Sequence, residues 1–241
     1  MCGRFTLRTN SASLVEQFGC ELPFDLPLRY NIAPTQKVAT VRIGPEDASR
    51  QWQMVRWGLI PSWAKEASIG NRMINARAET IADKPAFRTA LRRRRCLVPA
   101  DGYYEWQKTG KTKQPYYIRL RDDLPFAMAG LWERWTNPET GDPIETCTII
   151  TTDANELTRP IHDRMPVILN AADYDLWLDP QLQNPDPLRE LLRPFDVQAM
   201  RADPVDTYVN SPRNDGPRCI QLAGCPREFV PSGQSECQMP E

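Results

Sequence analysis

The sequence predicts an α+β fold: a single compact domain in which a mostly antiparallel, barrel-like β-sheet is flanked by peripheral helices. Segments with the pattern of strands outnumber helical segments, and most of them meet through short turns, which favours antiparallel pairing. The chain has 241 residues and neither an internal repeat nor a low-complexity linker, so one domain with a sizeable core is expected.

The N-terminal part of the chain combines one helix with strands. Leu14, Val15 and Phe18 lie on one face of a predicted helix from Ser11 to Phe18, which Gly19 ends. Two strands are then predicted, in QKVATVRI and QWQMVRWGLI, on either side of the turn GPEDAS.

The segment MINARAET predicts a strand with two chemically different faces. Alternation places three apolar side chains on one side and three polar ones on the other: Ile74, Ala76 and Ala78 against Asn75, Arg77 and Glu79. An amide and a guanidinium therefore project together, although a merely solvated face would show the same pattern.

The middle of the chain predicts a helix and two hairpins. The helix runs from Lys84 to Arg93, with Asp83 as its cap and Pro85 in its first turn. CLVPADGYYEWQKTGKTKQPYYIRL predicts two strands around a polar, glycine-containing turn, and FAMAGLWERW and ETCTIITT predict two more around TNPETGD.

The C-terminal part predicts short elements and then a tail. A helical turn is expected from Asn155 to Thr158, extended chain in RMPVIL and DVQAMRADPVDTYV, and amphipathic helices in NAADYDLWL, capped by Asn170, and DPLRELL. The domain is predicted to span residues 1–223, and residues 224–241 are predicted to form a loose tail.

Composition and charge exclude several function classes. The net charge of −1, from 30 basic and 31 acidic residues, argues against a wide polyanion-binding surface but allows a local basic cluster. No run approaches the roughly 20 apolar residues of a membrane span, and the first residues lack the apolar core of a signal peptide. We therefore expect a cytoplasmic, nucleoid-associated protein in a bacterium or a nuclear one in a eukaryote.

The seven cysteines argue against metal and disulfide chemistry. They are odd in number and form no CxxC pair, so neither a zinc site nor a disulfide framework is expected, and no cofactor is predicted. Cys2 is the unusual one. Removal of the initiator methionine would leave a free α-amine and a thiol on one residue.

Two further residues are candidates for acid–base chemistry. His162, in TRPIHDRMP, is the only histidine, and an imidazole is the natural proton shuttle at neutral pH. Glu105 follows two tyrosines and precedes a tryptophan, a setting that would raise the pKa of its carboxyl, although an exposed hairpin glutamate fits the spacing as well.

Basic and aromatic residues offer weaker signals. The arginines of RTALRRRRC are interpreted as mostly structural, because cations stabilise a helix C-terminus. Trp57 and Trp63, in RWGLIPSWAK, are candidates for stacking on bases, with burial in the core as the default alternative.

Six motifs together carry a resemblance: MCGRF, RYNIAPTQ, WGLIPSWA, NARAET, ADGYYEW and IHDRMP. In this order they resemble the SOS-response-associated peptidase (SRAP) family, from Cys2 to about Asn214. VNSPRNDG is similar to the family's closing motif, and the tail after it is not covered.

The resemblance implies a protein that attaches itself covalently to abasic sites in single-stranded DNA. The reactive centre would consist of Cys2, Asn75, Glu105 and His162. Arg4, Arg77 and Arg164 would meet phosphates, and Trp63 and Pro34 would pack against bases or sugar. The resemblance also implies a barrel-like α+β domain, and a monomer suffices for one-to-one attachment.

Two alternatives stay open on the residues alone. Glutamine amidotransferase domains also begin Met-Cys-Gly. A competing hypothesis is therefore an N-terminal-nucleophile hydrolase, either a peptidase or an amidotransferase, in which the Cys2 thiolate attacks an amide. The other is a non-catalytic single-strand DNA binder, which the near-neutral charge supports poorly.

Overall fold

The computed structural model describes residues 2–44 and 48–224. These contain thirteen strands: β1 (Phe5–Leu7), β2 (Arg29–Ile32), β3 (Lys37–Ile43), β4 (Arg50–Trp57), β5 (Asn75–Arg77), β6 (Arg95–Ala100), β7 (Gly102–Thr109), β8 (Thr112–Leu120), β9 (Phe126–Thr136), β10 (Pro143–Asp153), β11 (Arg164–Pro166), β12 (Ile168–Leu169) and β13 (Met200–Pro204).

The same residues contain four α-helices: α1 (Ser11–Phe18), α2 (Arg88–Arg93), α3 (Tyr174–Leu178) and α4 (Asp186–Arg189). Five 3₁₀ helices cover Ala67–Arg72, Ala171–Asp173, Val197–Ala199, Thr207–Asn210 and Pro217–Ile220. In the described chain no helix has both the length and the apolar character needed to cross a membrane. Apart from Gly224, the predicted tail lies outside the described residues, as do residues 45–47 of the predicted turn GPEDAS.

Five strands close into a barrel. β3 pairs with β4 and β6, β6 with β9, β9 with β10, and β10 with β4, so the ring of hydrogen bonds returns to its start. Only the β10–β4 contact in this ring is parallel. β5 and β11 also pair with β10, and β12 pairs with β9. The predicted α+β fold with a barrel-like sheet is confirmed.

A second sheet holds the N-terminal strand. Its order is β13-β8-β7-β1-β2, so β1 lies between β7 and β2 rather than at an edge. Phe5 of β1 packs edge-on against Trp57 of the barrel, with ring centroids 5.2 Å apart, and both side chains are fully buried. Burying such a side chain contributes about 1.5–3 kcal/mol, so this contact holds the two sheets together.

The predicted hairpin between Cys96 and Leu120 is wrong in one respect. The chain forms three strands there, because it changes sheet at Asp101: β6 belongs to the barrel, whereas β7 and β8 belong to the second sheet. The buried Asp101 carboxylate accepts hydrogen bonds from residues 6–9, which stabilises the break. Gly102 is required beside it, since a Cβ there would lie 2.2 Å from the Tyr117 ring.

Other boundaries also differ from the predictions. The second predicted strand ends at Trp57, because Gly58 turns the chain with φ +122°. The strand in MINARAET is limited to Asn75–Arg77. Helix α2 starts at Arg88, after a series of turns, and Asp83 does not cap it.

The C-terminal elements are shorter than predicted. DPLRELL keeps only the single turn of α4, and NAADYDLWL begins as a 3₁₀ helix without a capping hydrogen bond from Asn170 to the backbone. In DVQAMRADPVDTYV, 3₁₀ helices flank β13. By contrast, α1 has the predicted bounds: Asn10 Oδ1 accepts the Ser13 amide (3.0 Å), and Gly19 ends the helix with φ +66°.

Candidate active site

The N-terminal strand carries Cys2 into the interior. In the antiparallel pairing of β1 with β7, Phe5 faces Tyr103 and Thr6 faces Gly102, and the Tyr104 amide donates to Arg4 O (2.9 Å). Continuing this register places Gly3 opposite Glu105. Cys2 has no exposed surface. The second residue of the chain is therefore a core residue whose position β7 determines.

Asn75 holds Cys2 from the barrel side. β5 runs parallel to β10, with Asn75 beside Ile149, and Asn75 Nδ2 donates to Cys2 O (2.9 Å). Asn75 Oδ1 is buried and accepts no hydrogen bond within the described part of the chain. The amide thus positions the Cys2 backbone and keeps an acceptor for another donor.

Glu105 is a buried carboxyl, only 3% exposed, next to Cys2. Burial raises the pKa of Glu105, and the positive charge of His162 opposes that rise. Burial, followed by the Glu105 charge, raises the pKa of the Cys2 thiol well above its ordinary range. The thiol is therefore protonated at neutral pH, which makes Cys2 a poor thiolate nucleophile.

His162 faces this carboxyl from the loop before β11. The Arg164 amide donates to His162 Nδ1 (3.0 Å), and the His162 amide donates to Thr158 O (2.9 Å), so the loop orients the ring. His162 Nδ1 also lies 2.9 Å from Asp163 Oδ1, so two neighbouring groups of this loop contact the same ring nitrogen. A half-exposed imidazole beside a buried carboxyl can move protons between solvent and the site.

Two of the arginines predicted to contact phosphate are bonded within the protein. Arg164 is 8% exposed and donates to both carboxylate oxygens of Glu79 (2.8 and 3.0 Å) and to Asp153 Oδ1 (2.7 Å). Arg4 donates to Asn31 Oδ1 (2.9 Å) and to Val209 O (3.1 Å). A phosphate contact by either guanidinium stays a prediction, and for Arg164 it requires two carboxylates to give way.

The other three predicted contact residues are accessible. Trp63 is 60% exposed, which is unusual for a tryptophan and rules out the core position that was its default alternative. Trp57, by contrast, is fully buried. Arg77 is exposed at the end of β5, and Pro34 is half-buried in the turn after β2.

Sequence reasoning missed the buried polar residues that support the site. Asn31 is fully buried, and its Nδ2 donates to the carbonyls of Val209, Ser211 and Asn214 (3.1, 3.0 and 2.7 Å). This amide holds the 209–214 segment against β2 and beside Arg4. A polar residue inside the strand-like RYNI was the one available signal.

The fold and the site together define a class of protein: a barrel-containing α+β domain whose cysteine at position 2 lies inside the protein, beside a buried carboxyl and close to a partly exposed imidazole. Among residues 2–44 and 48–224, no cluster of three histidine, cysteine, aspartate or glutamate side chains is arranged to bind a metal ion.

The chain belongs to the SOS response associated peptidase (SRAP) family, whose model matches residues 1–212. It is 47% identical over 225 residues to the abasic site processing protein YoqW of Bacillus subtilis, an alignment that covers 92% of this chain and 99% of YoqW. It is 35% identical to the abasic site processing protein HMCES of Gallus gallus, over 80% of this chain and 65% of that protein.

A solved structure shows the same fold. The crystal structure of a protein from Bacteroides thetaiotaomicron superposes with a TM-score of 0.83 at 32% identity, covering 92% of this chain and all of that one.

Proposed function

We propose that this protein captures abasic sites in single-stranded DNA by forming a covalent bond through Cys2 after Met1 is removed. One observation carries the proposal: the Cys2 backbone carbonyl accepts a hydrogen bond from Asn75 in a buried site that also contains Glu105 and His162. The names of the relatives, which describe abasic site processing, supply the substrate.

The first bond forms at nitrogen. An abasic deoxyribose opens to an aldehyde, and an α-amine has an ordinary pKa near 8, so a useful fraction is neutral around pH 7.5. The amine adds to the aldehyde carbon, and the carbinolamine loses water to give an imine. The protonated state of the buried thiol favours this order, because the amine meets no competing thiolate.

The second bond forms at sulfur. The Cys2 thiol adds to the imine carbon, its proton passes to the imine nitrogen, and a five-membered thiazolidine closes. Both groups belong to one residue, so the step has a high effective concentration. Ring closure converts a hydrolysable imine into a durable product.

The surrounding groups have separate roles in these steps. His162 acts as general acid and base in sugar opening and in water loss, because its imidazole is accessible to solvent. Glu105 holds and tunes the amine. Asn75 positions the Cys2 backbone through Nδ2, and its Oδ1 accepts a hydroxyl of the opened sugar.

The same chemistry implies two side activities. An imine that escapes thiol addition promotes β-elimination, which is AP-lyase activity on the strand. Removal of Met1 by the protein itself would be the peptidase reaction. We further propose that the protein acts as a monomer in the compartment that contains the DNA.

The test uses a single-stranded oligonucleotide with one abasic site and protein whose Met1 is shown by mass spectrometry to be absent. A heat-stable protein–DNA band on a denaturing gel is expected. Cys2→Ser keeps the amine but lacks the thiol, so reversible imine and more strand cleavage are expected. Cys20→Ser is the matched control and should crosslink normally.

Two results would overturn the proposal. The wild type could give no stable adduct with Met1 removed, which would exclude covalent capture. Alternatively, Cys2→Ser could form an equally durable adduct without a reductant, which would exclude the thiazolidine.

A further inference from the structure

The turn after β2 holds a threonine in a backbone conformation that suits glycine. Thr35 has φ +72°, and a β-branched residue is disfavoured there because its Cβ crowds the neighbouring carbonyl. The Thr35 amide donates to Trp57 O (2.8 Å), and Gln36 Oε1 accepts the Ala33 amide (3.1 Å), so the turn is held firmly. Such strain is concentrated at functional sites.

This turn lies beside the active site. Phe5 pairs with Ile32 in the antiparallel β1–β2 contact, which places the following turn near Cys2 and Gly3. Trp57, the acceptor for Thr35, packs on Phe5 and donates from Nε1 to Ile74 O (2.9 Å), next to Asn75. The Thr35 side chain itself is exposed.

Two cations, Lys37 and Arg56, lie next to the turn. Lys37 and Arg56 are directly opposite each other in the β3–β4 pairing, an arrangement that like charges destabilise. Within the part of the chain that the structure describes, neither forms an ion pair, while Asn71 Oδ1 accepts from Arg56 Nη2 (2.7 Å) and holds its guanidinium in place. An anion bound between them would remove the repulsion.

We propose that Thr35, Lys37 and Arg56 form a subsite for a phosphodiester of the DNA strand that carries the lesion. Lys37 and Arg56 supply the charge, and the strained turn directs the Thr35 hydroxyl to donate to a phosphate oxygen. The inference rests on the proposed function for the identity of the strand. With this subsite occupied, the DNA strand would run from Cys2 towards the turn after β2.

The experiment measures non-covalent binding of a single-stranded oligonucleotide with a tetrahydrofuran analogue of an abasic site, which has no aldehyde. Thr35→Gly should raise Tm, because glycine relieves the strain, and yet weaken binding by about tenfold or more, as expected for a lost hydrogen bond to a charged group. Thr35→Ser should bind like the wild type. Lys37→Gln should lower the slope of log affinity against log salt by about 0.7, the value for one phosphate contact to a single strand.

Two control variants match these changes. Ala48→Gly relieves a positive φ (+54°) at another exposed residue and should raise Tm without changing affinity. Lys113→Gln removes an exposed lysine that also faces a lysine, Lys108, across its hairpin, and should leave the salt slope unchanged.

Two outcomes overturn the subsite. In one, Thr35→Gly is more stable and binds as the wild type does. In the other, Lys37→Gln and Lys113→Gln weaken binding equally, which indicates only general charge. Because the analogue cannot form an imine, intact subsite binding without crosslinking to a true abasic site would count against the proposed function alone.

Discussion

Replacing Asp101 by alanine should destabilise the fold and displace the N-terminal strand. The carboxylate is 1% exposed and accepts from the Thr6 hydroxyl, from the Arg8 and Thr9 amides, and from the Thr9 hydroxyl. These four donors lie in or just after β1, the strand that carries Cys2, and the Tyr117 hydroxyl adds a longer contact (3.5 Å) from β8. The perturbation therefore acts on the site through the segment that positions it.

The magnitude follows from the donors that lose their acceptor. The Thr6 hydroxyl has other partners, Gly102 O (3.3 Å) and the Tyr117 hydroxyl (3.0 Å), so losing its hydrogen bond to Asp101 destabilises the fold only slightly. The Arg8 and Thr9 amides lose a charged acceptor, and an unsatisfied buried donor costs about 1–3 kcal/mol. We expect a total of about 4 kcal/mol, a large part of the roughly 5–15 kcal/mol by which domains are stable.

Thermal unfolding and crosslinking together measure the effect. At this chain length, 1 kcal/mol shifts Tm by about 2–4 °C, so Asp101→Ala should lower Tm by about 8–16 °C. Below that transition, where the variant is folded, its crosslinking to an abasic oligonucleotide should still be slower than that of the wild type. Asp142→Ala, at an exposed turn, is the control and should leave both unchanged.

A Tm loss below about 3 °C would refute the reasoning, because it would show that solvent replaces the carboxylate without cost. A large Tm loss with an unchanged crosslinking rate in the folded variant would show that the bonds stabilise the fold but do not position Cys2.

Three further predictions concern the site and its surroundings. Asn75→Leu removes the hydrogen bond to Cys2 O and should slow crosslinking about tenfold, in line with the value of one such bond; an unchanged rate on a denaturing gel would contradict this. Burial raises the pKa of Glu105 above its unfolded value near 4.3, so the charged carboxylate lowers the stability of the folded protein once the pH exceeds about 4.3. Glu105→Gln should therefore have a higher Tm than the wild type at pH 7 but not at pH 4. The same difference in Tm at both pH values would count against this linkage. Burial acts to raise the pKa of Glu79, but the hydrogen bonds and charge of Arg164 outweigh burial, so the folded pKa is lowered. The stability that the charged Glu79 contributes is therefore present above about pH 4.3 and lost below it. The Tm deficit of Glu79→Gln should shrink on acidification, and a constant deficit would refute the linkage.

Most strands were predictable because they depend on local alternation. The strands around residues 37–43, 126–136 and 143–153 follow the predicted segments closely. The exchange of sheets at Asp101 was not predictable, because the residues that satisfy this carboxylate lie far away in the sequence, in and after β1. A strand pattern says where the chain is extended but not which sheet receives it.

The candidate site shows the same division. The chemistry of Cys2, Glu105 and His162 could be predicted from their residue types, and the family resemblance predicted that they belong to one reactive centre. The ion pairs of Arg164 were not visible, because Asp153 faces it only once β11 pairs with β10, and Glu79 comes from a distant segment that β5 brings to the same strand. The strain at Thr35 is likewise a property of the turn and not of its composition.

The interior position of β1 has a consequence for timing. A ribosome delivers Cys2 first, but the β7 residues that position it are made much later, and β1 can be inserted only when both of its neighbours exist. Until β7 is made, Cys2 lacks Glu105, the buried carboxyl that lies next to it in the folded protein. The environment that distinguishes Cys2 from the other cysteines is therefore complete only at the end of folding.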